Sequence, residues 1–290
     1  MPKELLNEPI RGELVFLGTG TSHGVPLIGC GCPVCRSDDP RNKRTRCAVV
    51  LGLPFGNLLI DTPPELRLQL VRERIGVVHA VAYTHGHADH LFGLDDLRIM
   101  NKYLGGGVPL FCEEQVENRI RRAFDYAFSE ESRRFPHGGV PLLQIRRIGT
   151  EPFELLGAEI VPVRLAHGRW DILGFRIGNT AYCTDVKTIP ESSKERLRDL
   201  DCLILDCLRK EPHPTHMSLD EALAAVEELR PKRCYFTHMC HRLDHAETEA
   251  NLPENVRLAY DGLRIPLTGI DFPTLEDPQA EIPSPPTRGA

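Results

Sequence analysis

Residues 84–90 read Thr-His-Gly-His-Ala-Asp-His and carry four side chains able to bind a metal. Imidazole nitrogens mixed with carboxylate oxygens suit zinc, manganese or iron. A tight loop after a strand turns alternate side chains toward two neighbouring ions, so His85, His87, Asp89 and His90 are candidates for a dinuclear centre. A solvated polar loop is the plainer alternative. Chance rarely places three histidines and an aspartate in six positions.

A second cluster, Cys30-Gly-Cys32-Pro-Val-Cys35, offers three thiolates in six residues. That is a structural-zinc signal, and tetrahedral closure needs a fourth ligand. A reactive thiol and a buried apolar cluster are the competing readings. Cys47, Cys183 and Cys202 sit inside apolar, strand-like runs and are expected as small buried hydrophobes. The chain holds ten cysteines, and in the reducing compartment expected for it disulfides do not account for them.

The His-x-His-x-Asp-His spacing resembles the signature of the metallo-β-lactamase superfamily. Further residues follow in that family's order: Asp61 in IDTPPE, His167 in RLAHGRW, Asp185 in YCTDV and His238 in YFTHMCH. The resemblance implies an α/β (α+β) four-layer αββα sandwich with two divalent metals, Zn²⁺ or Mn²⁺, at one edge of its sheets. It implies His85, His87 and His167 on the first metal, Asp89, His90 and His238 on the second, Asp185 bridging, and Asp61 supporting a ligand from behind. TGTSHGVPLIGCGCPVC narrows the resemblance to PhnP-type proteins, phosphodiesterases acting on phosphoribosyl 1,2-cyclic phosphate. There the three cysteines and the second histidine of Thr-His-x-x-His bind a structural Zn²⁺; here that histidine is His241, with Cys240 as rival. His216 falls where this family carries an active-site histidine. The match covers roughly residues 12–266 and departs in the charged segment 113–140.

The expected activity is hydrolysis of a small or cyclic phosphodiester, with Asp89 and His216 as catalytic groups. His23, Arg169 and Trp170 are candidates for substrate contact. An RNA-processing nuclease, a relative of the PQQ-biosynthesis protein and a non-catalytic metal-stabilised scaffold are the alternatives. The formal charge of −6 (35 Lys+Arg, 41 Asp+Glu) argues against nucleic acid as partner and favours a small-molecule phosphodiester. Self-association into a homodimer is left open.

These side chains need elements to bring them together. With 41% hydrophobic and 26% charged residues the chain can bury a sizeable core. Strand-like runs are read at 12–18, 47–53, 57–61, 77–85, 108–112, 142–148, 158–165, 172–177, 180–184, 203–206 and 233–238. Helical spacing is read at 66–75, 91–104, 113–128 and 219–229, the last opened by a Ser218/Glu221 capping box. Strands come first and βαβ-like units later, twice over, which predicts two sheets face to face with helices outside. One domain is expected over 10–267, with a loose Pro-rich tail at 268–290. No apolar run reaches membrane-spanning length and no apolar signal core precedes Glu8, so a cytoplasmic location without a membrane partner is expected.

Overall fold

In a computed structural model that describes residues 5–129 and 139–274, the strand-like runs form two seven-stranded sheets. The first contains β1 (Glu13–Gly18), β2 (Ala48–Leu53), β3 (Gly56–Ile60), β4 (Ala80–Ala82), β5 (Val108–Cys112) and β6 (Leu143–Arg147). The second contains β7 (Phe153–Leu155), β8 (Ala158–His167), β9 (Trp170–Ile177), β10 (Thr180–Cys183), β11 (Cys202–Asp206), β12 (Arg233–Thr237) and β13 (Val256–Leu258). The chain then returns to the first sheet as β14 (Arg264–Pro266), paired with β1.

Each half follows one plan. Antiparallel hairpins (β1-β2-β3; β7-β8-β9-β10) lead into parallel strands (β3-β4-β5-β6; β10-β11-β12-β13). Parallel pairing demands crossovers, and the helices supply them. Alternation along each strand then creates three apolar layers. Leu14 and Phe16 of β1 face the space between the sheets, where Phe175 and Ile204 meet them. Val15 and Leu17 point the other way, under the helix Leu66–Arg72. On the second sheet Leu203 and Leu205 face the helix Leu219–Leu229, while Cys202 and Ile204 face inward. Helix, sheet, sheet, helix is the expected four-layer αββα sandwich.

Several expectations change in detail. Residues 91–104 are not one helix: a 3₁₀ turn, Leu94–Leu97, precedes the helix Arg98–Leu104. Gly93, just before that turn, is pressed against another loop: a Cβ there would meet the Pro63 carbonyl at 2.0 Å. The run at 77–85 is a strand only over Ala80–Ala82. The expected tail opens with an anchored stretch: Asn179 N–H donates to the Thr268 carbonyl (2.9 Å) and Thr268 Oγ1 donates to Asp201 (2.7 Å). Its Pro-rich remainder, 275–290, and residues 130–138 of the charged segment lie outside the described residues. Among the described residues no helix is long and apolar enough to cross a membrane.

Candidate metal centre

The candidate ligands converge at the carboxyl ends of the parallel strands, where open α/β sheets gather their functional loops. Asp61 follows β3, His85 follows β4, Asp185 follows β10 and His238 follows β12. Asp61, Asp185 and His238 all adopt left-handed backbone conformations, with φ of 67°, 59° and 61°. Such positions cost free energy for residues with a Cβ and concentrate at functional sites. Each turns a side chain back over the sheet edge, which an extended residue following the strand would not do.

Two clusters result. The metal-binding atoms of His85, His87 and His167 lie within 4.8 Å of one another, and so do those of Asp89, His90, Asp185 and His238. Asp185 also groups with His167 and His216, which places it between the two clusters. Its Oδ2 lies 3.1 Å from His90 Nε2 and its Oδ1 3.3 Å from His238 Nε2. These approaches lack hydrogen-bond geometry: among the described residues the buried Nε2 atoms of His85, His90 and His238 have no hydrogen-bond partner. Buried polar atoms are normally satisfied, so three of them aimed into one cleft point to an absent ligand.

The far side of the rings explains their orientation. His90 Nδ1 is 2.7 Å from Asp61, His167 Nδ1 is 2.8 Å from the Thr215 carbonyl, and His85 Nδ1 is 3.0 Å from Thr84 Oγ1. The Thr84 hydroxyl donates to Asp61 (2.7 Å), so it accepts from His85. In each case Nδ1 carries the proton and Nε2 presents a lone pair, the arrangement that metal-binding histidines require. Burial, the largest influence, pushes His85 well below the ordinary histidine range and lowers His87 and His167 too, which keeps them neutral. His90 is buried as well, yet Asp185, Asp89 and Asp61 pull it well above that range. Three carboxylates packed around one buried imidazole are a surplus of negative charge, stable inside a protein only beside cations. The donor set therefore fits two divalent metals.

The other candidates divide. His216 is buried next to the clusters, its Nδ1 2.7 Å from Asp206. The sequence reading passed over Asp206, which also accepts from Val186 N–H (2.9 Å). Its signal was present: LILD ends a buried strand in aspartate as LLID does at Asp61. Trp170 lies against His87 and His167, with ring centroids 5.2 and 6.0 Å away, and the Arg169 guanidinium lies 4.8 Å from its ring centre. His23 is exposed and joins none of the clusters.

The cysteine loop closes with His241, not Cys240. Cys30 Sγ and Cys32 Sγ each lie 3.4 Å from His241 Nδ1, and Cys35 completes the group. Cys240 is buried apart from it, its sulfur accepting from Arg242 N–H (3.4 Å). The Cys35 N–H donates to Cys32 Sγ (3.4 Å), and that bond, helped by His241, brings the Cys32 thiol down to about 6. Burial takes the Cys35 thiol up to about 11. Three thiols and one imidazole in this array fit tetrahedral zinc. Cys47, Cys183 and Cys202 are buried, and all ten cysteines are free.

Comparison with known proteins identifies the fold. The family described as "Beta-lactamase superfamily domain" matches residues 56–239. A crystal structure of a "New Diphosphatase from the PhnP Family" is 43% identical, with a TM-score of 0.81 over 87% of this chain and 96% of that one. Zn²⁺-bound PqqB from Methylobacterium extorquens shares the fold at 20% identity, with a TM-score of 0.70 over 88% of this chain and 100% of that one. An octanoyltransferase of Porphyromonas gingivalis is 35% identical over 253 residues, 86% of this chain and 50% of that protein, so this chain spans half of that relative's length. In its motifs, its sheet topology and its converging histidines and aspartates, this chain belongs to the metallo-β-lactamase superfamily, whose members are largely hydrolases.

Proposed function

We propose that the chain is a metal-dependent phosphohydrolase that opens a phosphodiester or diphosphate bond in a small substrate. The observation that carries this reading is the pair of ligand clusters with Asp185 between them. His85, His87 and His167 would hold one divalent ion, Asp89, His90 and His238 a second, and Asp185 both. Such ions, when bound, neutralise phosphate oxygens and activate water. The 43% identity to a diphosphatase of the PhnP family supports a phosphate substrate and admits an anhydride bond beside the ester.

The chain's own groups do the rest. Asp89 keeps a 13% exposed side chain, against 3% for Asp185, so it can reach and steer a water entering from solvent. Burial opposes its charge, but His90 and then His238 hold it well below the usual carboxylate range. His216, its Nδ1 held by Asp206, is the group assigned to the departing oxygen; burial lowers its imidazole, and a phosphate beside it would raise it enough to donate a proton. The cysteine loop with His241 would hold a structural Zn²⁺. A cytoplasmic location belongs to this reading, supported by ten free cysteines.

The test is turnover of bis-(p-nitrophenyl) phosphate and of a panel of small diesters and diphosphates, with Mn²⁺ or Zn²⁺ supplied. Wild-type protein should turn over at least one of them, and Asp185→Ala should lose nearly all activity and at least one metal per chain. Full activity in Asp185→Ala, or none in metal-loaded wild type on any member of the panel, overturns the reading.

A further inference from the structure

The chain's single tryptophan stands at the rim of the histidine clusters. β8 and β9 join through Gly168 and Arg169, so His167 and Trp170 face each other across the hairpin. Gly168 has φ of +62° while Arg169 has no positive φ, the pattern of a two-residue turn with glycine in its first central position. Directly paired residues of an antiparallel ladder project from the same face. Trp170 is thereby forced to the side of the sheet where His167 enters the metal centre. Its ring stands edge-on to His87, at an interplanar angle of 89°, and the side chain remains 43% exposed.

The charges around it are arranged to receive an anion. The Arg169 guanidinium lies against the Trp170 ring, 4.8 Å from its centre. On the helix Glu114–Ala123, Arg119 lies beside Gly86 in the histidine loop, its Cγ 3.5 Å from where a Cβ would stand. Its guanidinium is 5.6 Å from the centre of the Phe92 ring. Among the described residues neither arginine has a carboxylate partner. On the same elements Arg121 binds Glu117 and Arg164 binds Glu113. The rim thus carries two guanidiniums without a carboxylate partner among the described residues, and a partly exposed indole, beside the histidine clusters.

We propose that Trp170, with Arg169 on its ring, is the specificity platform for the organic part of the substrate, and that this part is a planar aromatic base. The substrate class is then a nucleoside phosphate rather than the phosphate of a plain sugar or alcohol. The base stacks on the indole, Arg169 and Arg119 draw in the phosphate charge, and the scissile group reaches the histidines beside the ring. Every base has a π-face, so a platform of this kind selects for a base without selecting which one. The inference rests on the phosphohydrolase reading but is tested by binding alone, so the two can fail separately.

All tryptophan fluorescence of this protein comes from Trp170. Metal-loaded protein titrated with adenosine 5′-monophosphate should show saturable quenching, whereas ribose 5-phosphate should bind without quenching. In calorimetry, wild type and Trp170→Phe should bind the nucleotide more tightly than the sugar phosphate by about 5- to 150-fold, the range spanned by base–aromatic stacking. Trp170→Ala should bring the two affinities together. Equal affinities in wild type, absence of quenching, or discrimination retained in Trp170→Ala overturns the platform. Those results leave the phosphohydrolase reading untouched. Binding as described, with no turnover of any phosphoester or diphosphate, would overturn that reading and leave the platform standing.

Discussion

At the scale of single residues, the site depends on what lies behind each histidine. Asp61 serves His90, the Thr215 carbonyl serves His167, and Asp206 serves His216. His216 lies near both clusters, and burial lowers its imidazole, so a role as proton donor needs the charge of a bound phosphate to raise it again. The roles separate by leaving group. If His216 protonates the departing oxygen, His216→Ala should slow an alkyl ester about 10²–10⁴-fold and a nitrophenyl ester far less, because nitrophenolate needs no proton. An equal loss on both esters would assign His216 to binding. Asp206→Asn should reproduce the selective loss in milder form and shift the pH profile of the alkyl ester, which a merely structural aspartate would not do. The histidine loop was legible in the sequence because its four candidate ligands are local, within residues 85–90. Asp206 left a signal in LILD, but its role did not show, because its partner His216 meets it only in the fold. The left-handed backbone at Asp61, Asp185 and His238 was equally hidden, since side-chain type does not announce it.

Elements carry these residues only as well as their turns allow. The hairpin of β8 and β9 sets both His167 and Trp170, and it packs its turn on the loop that bears His216. A Cβ at Gly168 would meet Thr215 Cγ2 at 2.8 Å, and its φ of +62° would strain any other residue. Gly168→Ala should therefore cost about 1–3 kcal/mol of stability. It should also displace Thr215, whose carbonyl holds His167 and whose neighbour is His216. Turnover is expected to fall further than the stability loss explains at a temperature where the variant is fully folded, with denaturant melts and assays compared on one preparation. Unchanged kcat in a measurably destabilised variant would show that the hairpin and the loop are uncoupled. The helix after that loop was read correctly from Ser218 and Glu221: Ser218 N–H donates to Glu221 (2.8 Å) and Glu221 N–H to Ser218 Oγ (3.3 Å). A capping box is four residues long and needs no tertiary partner. The break in 91–104 was beyond such reasoning, because apolar residues at helical spacing run through it from Leu91 to Leu104.

In the whole molecule the two sheets, legible from alternation and βαβ order, are held by more than their shared core. Metal-binding side chains from His85 to His238 span both halves, and the cysteine loop of the first half closes on His241, three residues past His238 of the second. Beside it the buried Arg44 donates to the carbonyls of Cys240 (3.0 Å) and Leu243 (2.8 Å) and to Asn42 Oδ1 (3.0 Å). Burial, the dominant influence, lowers the Arg44 guanidinium to about 10, still charged at neutral pH, so it keeps these bonds in ordinary buffers. A zinc ion on the cysteines and His241 would lock the same junction, since metal bound only by the folded chain adds its binding free energy to folding. Cys32→Ala should lose one equivalent of zinc and lower the melting temperature, by about 2–4 °C for each kcal/mol forfeited in a domain of this size. Cys240→Ala should keep the zinc, because its sulfur lies outside the group. Active-site metal supplied in excess should not restore the Cys32→Ala melting temperature, whereas it should restore that of chelator-treated wild type. Unchanged zinc in Cys32→Ala, or zinc lost from Cys240→Ala, would remove the structural ion from this loop and leave the junction to Arg44 and its neighbouring hydrogen bonds.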